Sequence, residues 1–340
     1  MSDQALSTPR LALGETSRAE CHIERSRDDK TTMRILVLYT RLTAYWMACM
    51  EYSRDHYGNS FLVVRSTPSP EAPFEIESGK DIEIVNHEEF SSEELNSKIK
   101  CFLPALIYVA GWTNQFYLKV AKDYKKKGCP VVVGMDNHWK ATFKQRMAGL
   151  LSSFYIKPYF TDIWIPGNPQ YKFAQHLGFN AKHIHRGLYC ANKELFKAEP
   201  KSKKNNELLF VGRLVEHKGL PQLIEVINQL IAKQELVFSV KFIGNGPLAD
   251  QLPQHENITH IPFMSPKKLP NVLHHTGFLI LPSTYEAWGV VVHEALASAT
   301  PVISTYQCGA AVDLVEHKKS GYLFDSNSFE QLEVILKEVT

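Results

Sequence analysis

The chain has 340 residues, 44% of them apolar and 22% charged, with a formal net charge of +2. That length suffices for roughly two domains with buried cores, and the near-neutral balance excludes the broad basic field of a nucleic-acid-binding protein. Any anion site is therefore local. Six cysteines (Cys21, Cys49, Cys101, Cys129, Cys190, Cys308) lie far apart with no C-x-x-C pair, which suits free thiols in a reducing compartment and argues against a structural zinc site. No run of about 18 apolar residues is present to span a bilayer.

In chain order, residues 1–32 are polar, lack periodicity and carry no apolar signal segment, so a disordered tail is expected there. From Met33 onward, short β-branched or aliphatic runs alternate with helical stretches. The runs of the first half are "RILVLY", "SFLVV", "DIEIV", "ALIYVA", "PVVVGM", "DIWIP" and "AKHIH"; those of the second are "ELLFVG", "FSVKFIG", "ITHIP", "GFLILP", "PVIS" and "GYLF". Such alternation predicts an α/β fold in which parallel sheets carry helices on both faces. Between the halves, Asn192–Asn206 is polar, lysine-rich and contains a proline, the composition of a linker. The expected organisation is two Rossmann-like, doubly wound domains, 33–198 and 207–340, joined by a linker at 199–206 and facing a cleft.

In open parallel sheets ligands bind beyond the carboxyl ends of the strands. In the second half those ends offer Gly212, Arg213 and Lys218 after "ELLFV", Gly244 and Gly246 in "GNGP", and Glu286 and Gly289 in "STYEAWG". Singly, each has a plain reading: a solvated cation pair, an ordinary turn, two unrelated carboxylates. Together they share one rim. A helix beginning at Gly289 would leave the amides of Gly289, Val290 and Val291 without intrahelical partners, which makes an anion site suited to a phosphate. Glu294 follows five residues later, roughly 7.5 Å along the axis. The two glutamates would bracket that site, and since a carboxylate accepts two hydroxyl hydrogen bonds, one suits a ribose and the other a sugar.

In order and spacing, "FVGRLVEHKG", "GNGP", "LPSTYEAWGVVVHEALASATPVIS" and "SGYLF" resemble the donor domain of glycosyltransferase family 4, the retaining enzymes of GT-B fold also grouped as glycosyl transferases group 1. The resemblance implies that Arg213 and Lys218 bind a diphosphate, that Glu286 meets the transferred sugar, and that Glu294 holds the nucleotide ribose. It implies transfer without a metal or other cofactor, the two cations supplying the charge a divalent ion would otherwise bring. It further implies retention without an enzymic nucleophile, the leaving phosphate helping to deprotonate the acceptor. The match to the family's N-domain histidine falls on His138 in "GMDNHWK", with Asp136 a weaker candidate; its plainer reading is a structural histidine. The first half departs from the family pattern, with "YTRLTAYW" where a glycine pair is common and "RGLYCAN" in place of an "NGVD" type turn. Enzymes of this family usually continue with a last helix crossing back to the first domain, so with "EQLEVILKEVT" as the final stretch the resemblance implies a second domain lacking that helix.

One stretch bears on the acceptor. His138–Phe160 holds Lys140, Lys144, Arg146 and Lys157, no acidic residue, and interleaved aromatics. The favoured expectation is a helix packing its apolar face on the first sheet; the other is a basic, aromatic helix lying on an anionic membrane. The combined expectation is a cytoplasmic, metal-independent retaining glycosyltransferase of glycan biosynthesis, peripheral to the inner face of a membrane if the second reading holds. It would move a sugar from a UDP or GDP type nucleotide sugar to a glycan or lipid-linked acceptor. The alternatives are a nucleotide-sugar-binding protein without catalysis and a nucleotide-sugar epimerase of the same architecture.

Overall fold

The computed structural model describes residues 32–67, 78–198 and 205–339. The expected tail, up to residue 31, and residues 199–204 of the expected linker lie outside the described residues.

The first half runs β1 (Arg34–Tyr39), α1 (Ala44–Tyr57), β2 (Ser60–Arg65), β3 (Ile82–Asn86), α2 (Ser92–Phe102), β4 (Leu106–Ala110), α3 (Gln115–Lys126), β5 (Val131–Gly134), α4 (Phe143–Tyr155), β6 (Asp162–Trp164), α5 (Asn168–His176) and β7 (Ile184–His185). The second runs β8 (Glu207–Val211), α6 (Leu220–Ala232), β9 (Ser239–Ile243), β10 (Ile258–Ile261), α7 (Leu269–His275), β11 (Phe278–Leu281), α8 (Val290–Ala297), β12 (Val302–Thr305), α9 (Gly309–Leu314), β13 (Gly321–Phe324) and α10 (Glu330–Val339). The helices start where capping chemistry dictates. Ser91 and Glu94 form a reciprocal capping box on α2, and Asn114 and Thr142 accept amides at the starts of α3 and α4.

Both sheets are wholly parallel in their named strand pairs. The first has strand order β3-β2-β1-β4-β5-β6-β7 and the second β10-β9-β8-β11-β12-β13. Helices cover both faces, so strands such as β1, β8 and β11 are continuous apolar runs. The order reverses between β1 and β4 and again between β8 and β11. Adjacent loops there leave in opposite directions, opening a crevice at the carboxyl ends. Leu36, Leu62, Ile107 and Ile163 lie at the centre of the first core, and Phe210, Phe242, Ile227 and Leu336 at that of the second.

The segment 138–160 departs from expectation in two ways. Only Phe143–Tyr155 is helical, and while Ala148 and Tyr155 pack against the first core, Phe143, Leu150 and Phe154 are exposed. Trp139 and Phe160, at either side of the helix, turn inward instead, Trp139 stacking on His176 with ring centroids 3.9 Å apart. The five cysteines among the described residues are unbridged, with Cys49 Sγ lying 3.4 Å from Cys190 Sγ.

Phe242 is fully buried against Phe210. Phe242→Ala should cost about 3–5 kcal/mol through lost transfer energy and the cavity left behind. Urea unfolding reads this directly, and a loss below about 1 kcal/mol would show that the second core is not packed as described.

Candidate functional site

The donor-side rim is built from three strand ends. After β8 the backbone of Gly212–Val215 meets the Gly244–Pro247 loop, with Leu214 N–H donating to Asn245 O at 2.9 Å and Leu248 N–H donating to Leu214 O at 3.1 Å. A Cβ on Gly244 would run into Gly212 O, and one on Gly246 into Leu214 O, so these glycines are required by close backbone approach. Arg213 is exposed at this rim, with no side-chain partner among the described residues.

After β11, the loop leading to α8 is tied down on two sides. Thr284 donates to His217 O through both its amide (3.0 Å) and its hydroxyl (3.2 Å), joining the loop to the turn that carries Lys218. Glu286 donates its amide to Gln307 O and accepts from Gly309 N–H, each at 3.1 Å. These ties bring Lys218 Nζ into an ion pair with Glu286 Oε2, both side chains only 17% exposed. Two groups assigned from sequence to different parts of a ligand are thus partners of each other. Before any anion binds, the unneutralised positive charge at the rim is that of Arg213 and the start of α8.

Gly289 caps α8 with φ of +89°, a left-handed conformation open to glycine, and an added Cβ would lie 3.0 Å from Cys308 Sγ and 3.1 Å from Glu286 Cγ. Val292 N–H bonds Gly289 O at 2.9 Å, and the amides of Gly289, Val290 and Val291 find no protein acceptor among the described residues. That is an anion-binding arrangement. Glu294 lies on the same helix with no side-chain partner among the described residues, and burial raises its pKa to about 7.

Facing this rim, a cavity of about 960 Å³ opens over the carboxyl ends of β1, β4 and β5. Tyr39, Arg41, Trp112, Asp136, His138, Lys140 and Lys144 line it from the first half and Tyr285 from the second. Asp136 Oδ2 accepts from Tyr189 OH at 3.1 Å, and Lys140 Nζ sits 3.4 Å from the centroid of the Tyr285 ring.

His138 stands at the seam. Its Nε2 donates to Ala287 O at 2.8 Å, and the same oxygen accepts from Gln170 Nε2 at 2.7 Å. Burial lowers the His138 pKa against the opposing effect of its bond to Ala287 O, and the proton in that bond is on Nε2. Gln170 also donates to Asp136 O at 3.0 Å and accepts from Gly167 N–H at 3.2 Å. Nearby, Asp313 of the second half caps α5 of the first, accepting from Asn168 N–H (2.7 Å) and Nδ2 (3.2 Å).

These contacts bring Gly212, Gly244, Gly246, Lys218, Glu286 and Gly289 together, with Arg213 in the same loop as Gly212 and Val290, Val291 and Glu294 on the helix that Gly289 opens, and His138 stands at the junction with the first half. Sequence reasoning missed Gln170, Asp313, Tyr285 and Arg41. Only Gln170 left a local signal, as the third residue of a helix opened by Gly-Asn-Pro; the others are single loop or helix positions whose partners are distant in sequence.

Two facing, doubly wound domains with the site between them define the GT-B fold. Residues 191–339 match the family described as Glycosyl transferases group 1. A protein of Haemophilus influenzae described as an uncharacterized glycosyltransferase is 30% identical over 145 residues, covering 39% of this chain and 40% of that protein. The 2-deoxystreptamine N-acetyl-D-glucosaminyltransferase of Niallia circulans is 28% identical over 154 residues, 43% of this chain and 38% of its own. The match thus spans 40% or less of the length of these relatives. Among solved structures, Anabaena Alr3699/HepE in complex with UDP and glucose superposes with a TM-score of 0.66 at 15% identity, over 90% of this chain and 89% of that one. The lipopolysaccharide-biosynthesis glycosyltransferase WaaG superposes with 0.62 at 16% identity, over 90% of each chain.

Two outcomes are expected. Because the folded protein holds the Glu294 proton more tightly than the unfolded chain, this group contributes stability that is complete below its ordinary value of 4.5 and is lost as pH rises through about 7. Melting temperatures of the wild type relative to Glu294→Gln should therefore fall across that window and level off above it; a difference independent of pH would disprove the burial of this carboxyl. Gln170→Ala removes the bonds to Ala287 O and Asp136 O together and should cost about 1–3 kcal/mol in urea unfolding. No measurable loss would mean that the seam does not depend on this amide.

Proposed function

We propose that this protein is a retaining, metal-independent glycosyltransferase that moves a sugar from a nucleoside diphosphate sugar to a glycan or lipid-linked acceptor. The observation that carries the reading is the convergence of the Lys218–Glu286 pair, the open amides at the start of α8 and unpaired Glu294 on one wall of a crevice whose other wall is an aromatic cavity. Names and titles of similar proteins support it: relatives are described as glycosyltransferases, and the Anabaena neighbour holds UDP and glucose.

In this reading Glu294 accepts the two ribose hydroxyls, and the amides of Gly289–Val291 with Arg213 hold the diphosphate. Lys218, released in part from Glu286 as the phosphate arrives, stabilises the charge that grows on the leaving oxygen. Glu286 then turns to the hydroxyls of the transferred sugar. Two carboxylates with different environments serve two different diols. His138 is held by a protein partner, Ala287 O, and Glu286 by Lys218 until the phosphate arrives and by the sugar hydroxyls afterwards. Neither is placed as a free nucleophile, which favours transfer on one face of the sugar. The bond from the anomeric carbon to phosphate breaks, the bond to the acceptor oxygen forms on the same side, and the acceptor proton passes to the leaving phosphate. The acceptor lies in the cavity, where Trp112 offers an aromatic surface to sugar rings and Asp136 a hydrogen-bond acceptor.

A thermal-shift panel of UDP, GDP, ADP and their sugar conjugates tests the donor site, since a ligand selective for the native state raises stability by RT ln(1 + [L]/Kd). One nucleotide class should shift the wild type and leave Glu294→Ala unmoved; silence from all of them would refute the reading. With a working acceptor, Lys218→Ala should cut turnover about 100-fold. Activity should survive EDTA, and a requirement for added divalent metal would overturn the role given to Arg213 and Lys218.

A further inference from the structure

Helix α4 is turned the wrong way round for a helix bathed in water. A surface helix ordinarily buries its large apolar residues and exposes its small polar ones. Here Ser152 is buried, and a Cβ on Gly149 would lie 2.8 Å from His176 O, so the small-residue face is the one packed inward. The outward stripe carries Phe143 at 81% exposure, Leu150 at 74%, Leu151 at 46% and Phe154 at 78%. Single exposed leucines are ordinary, but four large apolar side chains grouped on one short helix mark an interaction surface.

The charge around this stripe selects the partner. From residue 137 to 161 there is no Asp or Glu, while Lys140, Lys144, Arg146 and Lys157 lie in the same stretch. Lys140 is engaged over Tyr285, leaving Lys144, Arg146 and Lys157 exposed in the same stretch of chain. A soluble partner with an apolar groove would match the stripe alone. Apolar side chains flanked by cations match both layers of an anionic bilayer, the acyl boundary and the headgroups. Among the described residues no helix is long and apolar enough to cross a membrane, so contact through α4 is contact from one side.

We infer that α4 seats the protein on an anionic lipid surface, with Phe143, Leu150, Leu151 and Phe154 entering the acyl boundary and Lys144, Arg146 and Lys157 meeting the headgroups. The same helix borders the cavity through Lys144, Met147 and Leu151. Docking would therefore lay the cavity mouth against the bilayer, where an acceptor carried on a lipid presents its sugar. That last step rests on the glycosyl-transfer reading; the docking surface does not. Each cation at a negatively charged leaflet raises partitioning by about fivefold, so three contribute about a hundredfold over a neutral surface.

The test is flotation of the full chain with vesicles of phosphatidylcholine alone and of phosphatidylcholine with about one third phosphatidylglycerol. The wild type should float with the anionic vesicles, remain behind with the neutral ones, and be released by raised salt. The triple variant Phe143→Ser, Leu150→Ser, Phe154→Ser alters residues already in solvent and outside the cavity lining, and should lose binding at least tenfold with an unchanged melting temperature. Equal flotation of variant and wild type would overturn the proposal, as would no wild-type binding to anionic vesicles. So would a wild-type dimer that the triple variant converts to monomer, which would assign the face to a second copy. The nucleotide thermal shift, run on the wild type, separates the two readings: no wild-type flotation with the shift intact ends the docking proposal alone, and the shift absent with wild-type flotation intact ends the glycosyl-transfer reading alone.

Discussion

The carbonyl oxygen of Ala287 is the point on which the two halves of this protein depend. It belongs to the loop between β11 and α8, the loop that carries Glu286 and ends at Gly289, and it accepts from His138 and Gln170 of the other half. Two donors from the first half converge on this one part-buried oxygen, each using one of the carbonyl's two lone pairs. The contact couples the walls of the crevice directly. A displacement of the first half by a fraction of an ångström is felt at the loop that would hold a ligand, and a ligand that draws on Glu286 is felt at His138. The capping of α5 by Asp313 reinforces the same seam with a charge placed at a helix N-terminus.

Electrostatically the site is poised rather than simply positive. The Lys218–Glu286 pair cancels one charge, leaving Arg213 and the open amides of α8 to attract an anion. A diphosphate arriving there competes with Glu286 for Lys218, and the carboxylate it displaces is then available to hydroxyls. Glu294 offers a second carboxyl whose burial makes the proton labile near neutrality, so hydroxyl donors that favour the ionised form would draw it off.

Helix α4 shows what the cavity wall sacrifices. Its close approach to α5 through Gly149 and Ser152 leaves no room for a large side chain on that face, so the bulky residues are displaced outward. Packing and surface chemistry are in conflict unless something other than water covers the stripe, and the run of cations beside it is consistent with what does.

Much of the fold was written locally. A parallel sheet covered on both faces demands continuous apolar strands, and strands such as "RILVLY" and "GFLILP" carry no other plausible structure; the alternation with helices then implies the doubly wound topology. Gly289 at the start of α8 and the carboxyl-end placement of Arg213, Lys218, Glu286 and Glu294 were legible for the same reason, since strand-to-helix loops of such sheets share one rim. What only the tertiary structure decided are the pairings between residues far apart in the chain. Lys218 meets Glu286 because Thr284 ties its loop to His217 O, and Gln170 reaches Ala287 because α5 abuts the β11–α8 loop. The outward stripe of α4 was likewise invisible: its sequence fits a helix packed either way, and only the space left by α5 determines which face is buried. Local pattern specifies which elements form and at which ends their loops lie; which side chains from distant loops touch depends on how two domains close on each other.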